Sequence, residues 1–285
     1  MSSPLYTKAL IIGATSGIGL SLASKLLSQG TKVIVVGRRQ DRLDHFVSTH
    51  SSGSDKAVAV QLDITRLDEI PRFAACIAQE HPDLDCIVLN AGIQRSFDFS
   101  RPETVDLSIL NEEITTNYTS QVHLTMALLP ILQKQPRQTH LIYVGTTLGI
   151  VPFSLRTGNY NASKGALHNW ILVLREQLKR GNNNNNNNTN NKDKNGNVKV
   201  IEIFPPAVQT ELHDERHQPD LRDGGSIGMP LTEFTEAVYA GLLEGEEQIG
   251  VGHAKATLEG VERVRQEAFH RMIPVAEEML RRHLK

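Results

Sequence analysis

The chain has 285 residues, 39% of them apolar, with 30 basic and 32 acidic side chains and a net charge near -2. That length suits one α/β domain carrying insertions, and the balanced charge gives no electrostatic footprint for nucleic acid. Apolar runs such as 33–36 and 87–89 are too short to span a bilayer, and the opening stretch MSSPLYTKALIIG lacks the basic region and apolar core of a secretory signal, so an intracellular, cytoplasmic protein is expected.

Residues 9–12 form a short apolar run that predicts a strand. Gly13, Gly17 and Gly19 follow, and then an amphipathic stretch with Leu20, Leu22, Ala23, Leu26 and Leu27. Strand, glycine-rich turn and helix in that order can bring a pyrophosphate against backbone N–H groups at a helix N-terminus, where the dipole favours negative charge. A second strand over 32–36 runs into Gly37, Arg38 and Arg39. An NAD-binding fold would place an acid there for the ribose 2'-hydroxyl. Arginine instead suits a 2'-phosphate, which favours NADP(H).

A third strand over 57–62 ends at Asp63, which can cap the following connection or meet an adenine edge. Helical spacing continues over 66–79, and a fourth strand over 84–89 ends in Asn90, Ala91 and Gly92, small enough to admit a ribose. Two helical stretches, 103–114 and 115–132, precede a fifth strand over 140–144, with Asn117 at the start of the second stretch. Two cysteines, Cys76 and Cys86, have neither metal-ligand nor disulfide spacing and read as ordinary core residues.

Hydroxyls follow the fifth strand in Gly145-Thr146-Thr147-Leu148-Gly149, at the strand edge where open α/β sheets bind ligands. Next comes GNYNASKGA, opening a helix expected to run to Arg180. Its Tyr160 and Lys164 are four apart, one turn, so phenol and ammonium share a face. A neighbouring cation favours an ionised phenol and should bring Tyr160 nearer a working range.

The stretch 181–197, GNNNNNNNTNNKDKNGN, has no apolar residue to bury and is expected to be a disordered insertion on the side away from the ligand crevice. A sixth strand over 198–204 closes in two prolines. Residues 211–230, with Gly224, Gly225 and Gly228, make a candidate substrate lid. A helix over 232–243, a strand near 248–251 and a charged amphipathic stretch complete a doubly wound α/β fold with a mostly parallel central sheet, in one domain.

Together these motifs resemble the short-chain dehydrogenase/reductase family in its compact single-domain branch, over nearly the whole chain, 1–285. GATSGIG, VVGRR, EITTN and FPPAVQT look like a subgroup often labelled for D-alanine esterification of teichoic acid, a label that names a pathway and no substrate. The resemblance implies a Rossmann fold with Gly13, Thr15, Ser16, Gly17, Ile18 and Gly19 on the cofactor pyrophosphate and Asp63 by the adenine. It places Asn90, Ala91 and Gly92 along the cofactor, and Val208 and Thr210 at the nicotinamide amide and phosphates. It also implies a catalytic set of Asn117, Thr146, Tyr160 and Lys164 acting on a carbonyl or alcohol substrate with NADP(H), no metal, and a homo-oligomer, dimer or tetramer. Thr146 stands where the family has serine, and Thr147 rivals it. Leu89 and Pro206 replace a usual asparagine and a usual glycine. A dinucleotide-binding regulatory protein without turnover is the alternative, against which the intact Tyr160–Lys164 pair argues.

Overall fold

The computed structural model describes residues 3–50, 57–186, 197–281 and 283. Among these residues, seven strands form one sheet in the order β3-β2-β1-β4-β5-β6-β7, and every pairing is parallel. They are β1 Lys8–Ile12, β2 Lys32–Gly37, β3 Val58–Gln61, β4 Cys86–Leu89, β5 Thr139–Val144, β6 Val198–Phe204 and β7 Gln248–Gly250. The helices between them are α1 Gly17–Ser28, α2 Gln40–His50, α3 Ile70–Glu80, α4 Leu107–Ile114, α5 Ser120–Gln133, α6 Gly158–Asn186 and α7 Leu231–Glu244, followed by α8 Ala254–Thr257 and α9 Arg263–Leu280.

Because helices cover both faces, the central strands are continuous apolar runs rather than alternating ones. The two-residue period still sorts their side chains. Leu10, Ile12, Ile34 and Val36 pack with Ile77 of α3, Leu128 of α5 and Ile171 of α6, while Ala9, Ile11, Val33 and Val35 pack with Leu22 of α1, Phe46 of α2 and Phe234 of α7. Strand order reverses between β1 and β4. That reversal opens a crevice beyond the strands' carboxyl ends, where the glycine turn and the residues after β4 and β5 meet.

Several expectations need correction. Asn117 does not begin a helix: α4 passes into α5 through a π-helical turn, Thr115–Thr119, with the chain helical on both sides. Cys76 is exposed, because it falls on the outer side of α3, whereas Cys86 is buried in β4. Helix α6 continues past Arg180 to Asn186, so the first residues of the Asn-rich stretch are helical. Its last residue is also held, since the Asn197 amide donates to the carbonyls of Leu132, Gln135 and Arg137 at 3.1, 2.7 and 2.8 Å. The remainder of that stretch, 187–196, lies outside the described residues. A second π-helical turn, Leu258–Glu262, joins α8 to α9.

The stretch after β6 is not free. Its short turns, Glu211–His213 and Gly224–Ser226, are tied back by a bridge between Val208 and Met229. The fully buried Gln218 donates to the side chain of Gln94 at 2.9 Å, and Arg156 pairs with Asp220.

Candidate active site

The β1–α1 turn is built by backbone demands. Gly13 has φ +84°, and a Cβ there would lie 2.7 Å from the Ala91 backbone. A Cβ at Gly19 would lie 2.3 Å from the Gly13 carbonyl, to which the Asn90 amide donates at 2.9 Å. Gly19 therefore supports the turn from beneath. The Gly13 and Ala14 amides donate to the Val36 carbonyl at 2.8 and 3.0 Å, fixing the turn to β2.

Of the two arginines after β2, only one is committed. Arg39 donates to Thr15 Oγ1 at 2.8 Å, Ser16 Oγ at 2.7 Å and Glu211 Oε2 at 2.7 Å. Arg42 takes the other Glu211 oxygen at 2.8 Å. Partial burial would raise the Glu211 carboxyl, but the hydrogen bonds from Arg39 and Arg42 outweigh it and hold it at about 2. Arg38 is exposed, with Glu112 no nearer than 3.9 Å. Asp63 accepts from the Thr65 amide at 3.0 Å and its hydroxyl at 2.8 Å, the turn-capping arrangement.

At the other end, β5 and α6 converge. A Cβ at Gly149 would lie 2.8 Å from the Lys164 backbone, so glycine lets the turn after β5 press against α6. This brings Thr146 and Thr147 to Tyr160 and Lys164 along one cavity wall. Thr146 Oγ1 accepts from the Leu148 amide at 3.3 Å, which leaves its O–H free to donate. The Lys164 ammonium donates to the Val144 carbonyl at 2.9 Å and stands 5.9 Å from the centre of the Tyr160 ring. Asn117 does not line the cavity. Its amide exchanges two hydrogen bonds with the Ile93 backbone, at 2.9 and 2.8 Å, and reaches Ser163 Oγ at 3.1 Å, locking the residues after Gly92 to α6.

The electrostatics overturn one expectation. Burial raises the Tyr160 phenol above its ordinary value, with the nearby Glu113 carboxylate adding to the shift. Proximity to Lys164 does not bring it down, because the ammonium is turned to a carbonyl and is itself buried. Burial pulls Lys164 down to about 8, against the opposing field of Glu202. Glu113 had no signal in the sequence. It is fully buried in α4, accepts from the Arg95 amide and Asn159, both at 2.7 Å, and burial raises its carboxyl.

One turn beyond Lys164, His168 is buried between two carboxylates, Glu202 of β6 at Nδ1 (2.9 Å) and Glu262 at Nε2 (3.0 Å). Burial opposes its charge, but Glu202 and Glu262 prevail and raise it to about 9. Arg265 Nη2, 2.6 Å from Nε2, is then a like-charged neighbour whose partner is Glu262 Oε1 at 2.8 Å.

A single cavity of about 790 Å³ takes in both ends, within the range of small-molecule and cofactor sites. It is lined by Gly13, Thr15, Ser16, Gly17, Ile18, Arg38, Arg39, Asp63, Asn90, Ala91, Gly92, Val208 and Thr210, and by Thr146, Tyr160 and Lys164. Of the candidate cofactor-binding and catalytic residues, Gly19 and Asn117 alone stand behind the wall. The sequence profile described as short chain dehydrogenase matches residues 7–220.

The chain belongs to the short chain dehydrogenase family.

Among short chain dehydrogenases and their relatives, it is 32% identical over 244 residues to the uncharacterized oxidoreductase DltE of Bacillus subtilis, covering 84% of this chain and 86% of that protein. It is also 32% identical over 239 residues to the NADP-dependent 3-hydroxy acid dehydrogenase YdfG of Shigella flexneri, covering 81% and 86%. The fold matches the short-chain dehydrogenase from Sphingobium yanoikuyae in complex with NADPH, with TM-score 0.74, 22% identity and coverage of 92% and 95%. No helix among the described residues is long and apolar enough to cross a membrane.

Proposed function

We propose that this short chain dehydrogenase is an NADP(H)-dependent oxidoreductase interconverting a carbonyl and an alcohol. One observation carries the reading: the glycine turn and the Thr146, Tyr160, Lys164 group line the same cavity. The residues present fit the cofactor. Gly13 and Gly19 keep open, and keep shaped, a turn that a Cβ would close, and α1 offers its N-terminus to a pyrophosphate. Gly17, Ser16 and Thr210 would take the phosphates, and Arg38, exposed beside the glycine turn with only a 3.9 Å approach to Glu112, the 2'-phosphate. Asn90, Ala91, Gly92 and Val208 would line the nicotinamide half. NADP-dependence of the 3-hydroxy acid dehydrogenase relative agrees with this assignment.

When bound, the reduced nicotinamide supplies hydride to the carbonyl carbon. Tyr160 gives its proton to the carbonyl oxygen. Burial keeps the phenol protonated, so it waits as the donor rather than as phenolate. Thr146 orients the oxygen by hydrogen bond. Lys164, once released from the Val144 carbonyl, would hold the nicotinamide ribose and stabilise the phenolate left behind. With its side chain tied to Ile93 and Ser163, Asn117 serves the relay by keeping the π-helical turn in place, and its backbone carbonyl would hold the relay water.

The test is NADPH oxidation followed across ketones, aldehydes, diketones and quinones. Tyr160→Phe removes only the phenolic oxygen, so turnover should fall by ~10²- to 10⁴-fold while NADPH affinity stays nearly level. Wild-type turnover in Tyr160→Phe would sink the catalytic assignment. Tight NADPH binding with no turnover of any substrate would favour the alternative, a regulatory protein of the same fold. Family resemblance also points to a dimer or tetramer, which sedimentation would check.

A further inference from the structure

The cavity continues past Tyr160 under residues of the lid, and its wall there is cationic. Arg95, from the loop after β4, and Arg216 and His217, from the lid, all line it. Other cavity arginines have carboxylates: Arg39 holds Glu211, Arg156 holds Asp220, and Arg38 approaches Glu112. Among the described residues, Arg95 and Arg216 form no ion pair. Arg95 uses one nitrogen on the Gln94 carbonyl at 3.0 Å, and Arg216 is exposed.

The acids nearby are already engaged or lie off the wall. Asp63 and Glu211 are the acidic residues lining the cavity among those described; the first is turned to Thr65 and the second to Arg39 and Arg42. Glu113 is buried behind Arg95, holding its backbone amide and Asn159. Asp214 faces His213 and His217 but does not line the cavity. Burial lowers the His217 ring, and the charges of Arg95 and Arg216 lower it further, against Asp214 and Glu211. Two guanidinium groups from separate segments thus line the cavity with one imidazole and act on it through their charge.

We propose that the substrate carries an anion, a carboxylate or a group of like charge, received between Arg95 and Arg216 with His217 beside them. This rests on the reductase reading, since it concerns the ligand of the same cavity. Arg95 and Arg216 both line the cavity and neither forms an ion pair among the described residues, so an anion between them would gain two charge-assisted partners. The planar fork of arginine suits the two oxygens of a carboxylate. Arg38 and Arg39, beside the glycine turn, would serve the cofactor phosphates, which leaves Arg95 and Arg216 for the substrate. Arg95 lies three residues beyond Gly92 and against Glu113, whose field reaches Tyr160. An anion there is within the compass of a small molecule whose carbonyl meets Tyr160. Because Arg216 belongs to the lid and Arg95 does not, the same anion would draw the lid inward.

Two arms test this. In the first, hexanoate and methyl hexanoate, which have no ketone or aldehyde to reduce, are titrated calorimetrically into the NADPH-saturated protein. Hexanoate should bind and the ester should bind at least ~10-fold more weakly. Arg95→Leu and Arg216→Leu should each weaken hexanoate by about one to two orders of magnitude, the scale of a lost charge-assisted hydrogen bond, with NADPH affinity unchanged. Absence of hexanoate binding, equal binding of acid and ester, or equal weakening of both in the variants overturns the proposal. Should Arg95→Leu not fold, Arg216→Leu, altered at an exposed side chain, decides the matter.

In the second arm, β-keto acids and their methyl esters are offered as substrates. The acids should be preferred, and the arginine variants should raise KM for the acids while leaving kcat and the esters alone. Acids and esters turned over alike by wild type and variants would overturn the anion site and leave the reductase standing. Discrimination in binding with no turnover of either would do the reverse.

Discussion

The two ends of the cavity are built by different means. At the phosphate end the backbone makes the site: Gly13 at φ +84°, Gly19 pressed on the Gly13 carbonyl, and the Gly13 and Ala14 amides hung on Val36. At the end proposed for the substrate, side chains from distant segments make it: Thr146 after β5, Arg95 after β4 and Arg216 in the candidate lid line the cavity, with Glu113 of α4 and Gln218 behind them. A backbone site accepts one ligand shape and is hard to vary. A side-chain site on loops is readily altered without disturbing the sheet, which is how one fold serves many substrates.

If the contrast is real, damage at the two ends should be read on different axes. The largest effect belongs to the substrate end. Thr146→Ala should lower kcat by about 10²- to 10³-fold, the usual cost of one hydrogen-bond donor to a developing oxyanion, with NADPH affinity little changed. Thr147→Ala should be mild, and reversal of that ranking in steady-state kinetics would move the role to Thr147. At the phosphate end the loss should be in binding. Arg38→Asp should weaken NADPH by about one to two orders of magnitude and NADH far less; comparable weakening of both in a titration would remove Arg38 from the 2'-phosphate.

The smallest effect concerns neither end but the network under Lys164. His168 is raised to about 9 from an unfolded value of 6.5. Its stabilising contribution is therefore complete below the unfolded value and is lost as pH rises through about 9. Thermal stability should decline over that window by a few degrees, and His168→Asn should flatten the decline. A wild-type profile that is level from neutral to about pH 10, or one unchanged in the variant, would contradict the charged assignment.

Much of the phosphate end was legible in the sequence. Glycines at 13, 17 and 19 between a strand and a helix state a backbone requirement, and arginines after β2 state a charge. The YxxxK spacing likewise placed Tyr160 beside Lys164. Spacing carries no information on burial, however, and burial is what turned the Tyr160 shift upward. The π-helical turn at Asn117 has no periodic signature, so a continuous helix read as two. Glu113 looked like any solvated acid on an amphipathic helix, and its burial follows from Asn159 and the Arg95 amide, 46 and 18 residues away. Arg95, Arg216 and Gln218 lie in loops, where residue type alone does not say which cavity a side chain joins.

Glu211 belongs to the lid by sequence, yet its carboxylate is held by Arg39 and Arg42 at the phosphate end. The candidate lid is consequently tied at its first turn to arginines beside the place proposed for the 2'-phosphate. A phosphate that drew Arg39 toward itself would slacken the root of the lid, and a substrate that pulled the lid down would alter the hold on Arg39. Thermodynamic reciprocity makes these one coupling measured from two directions.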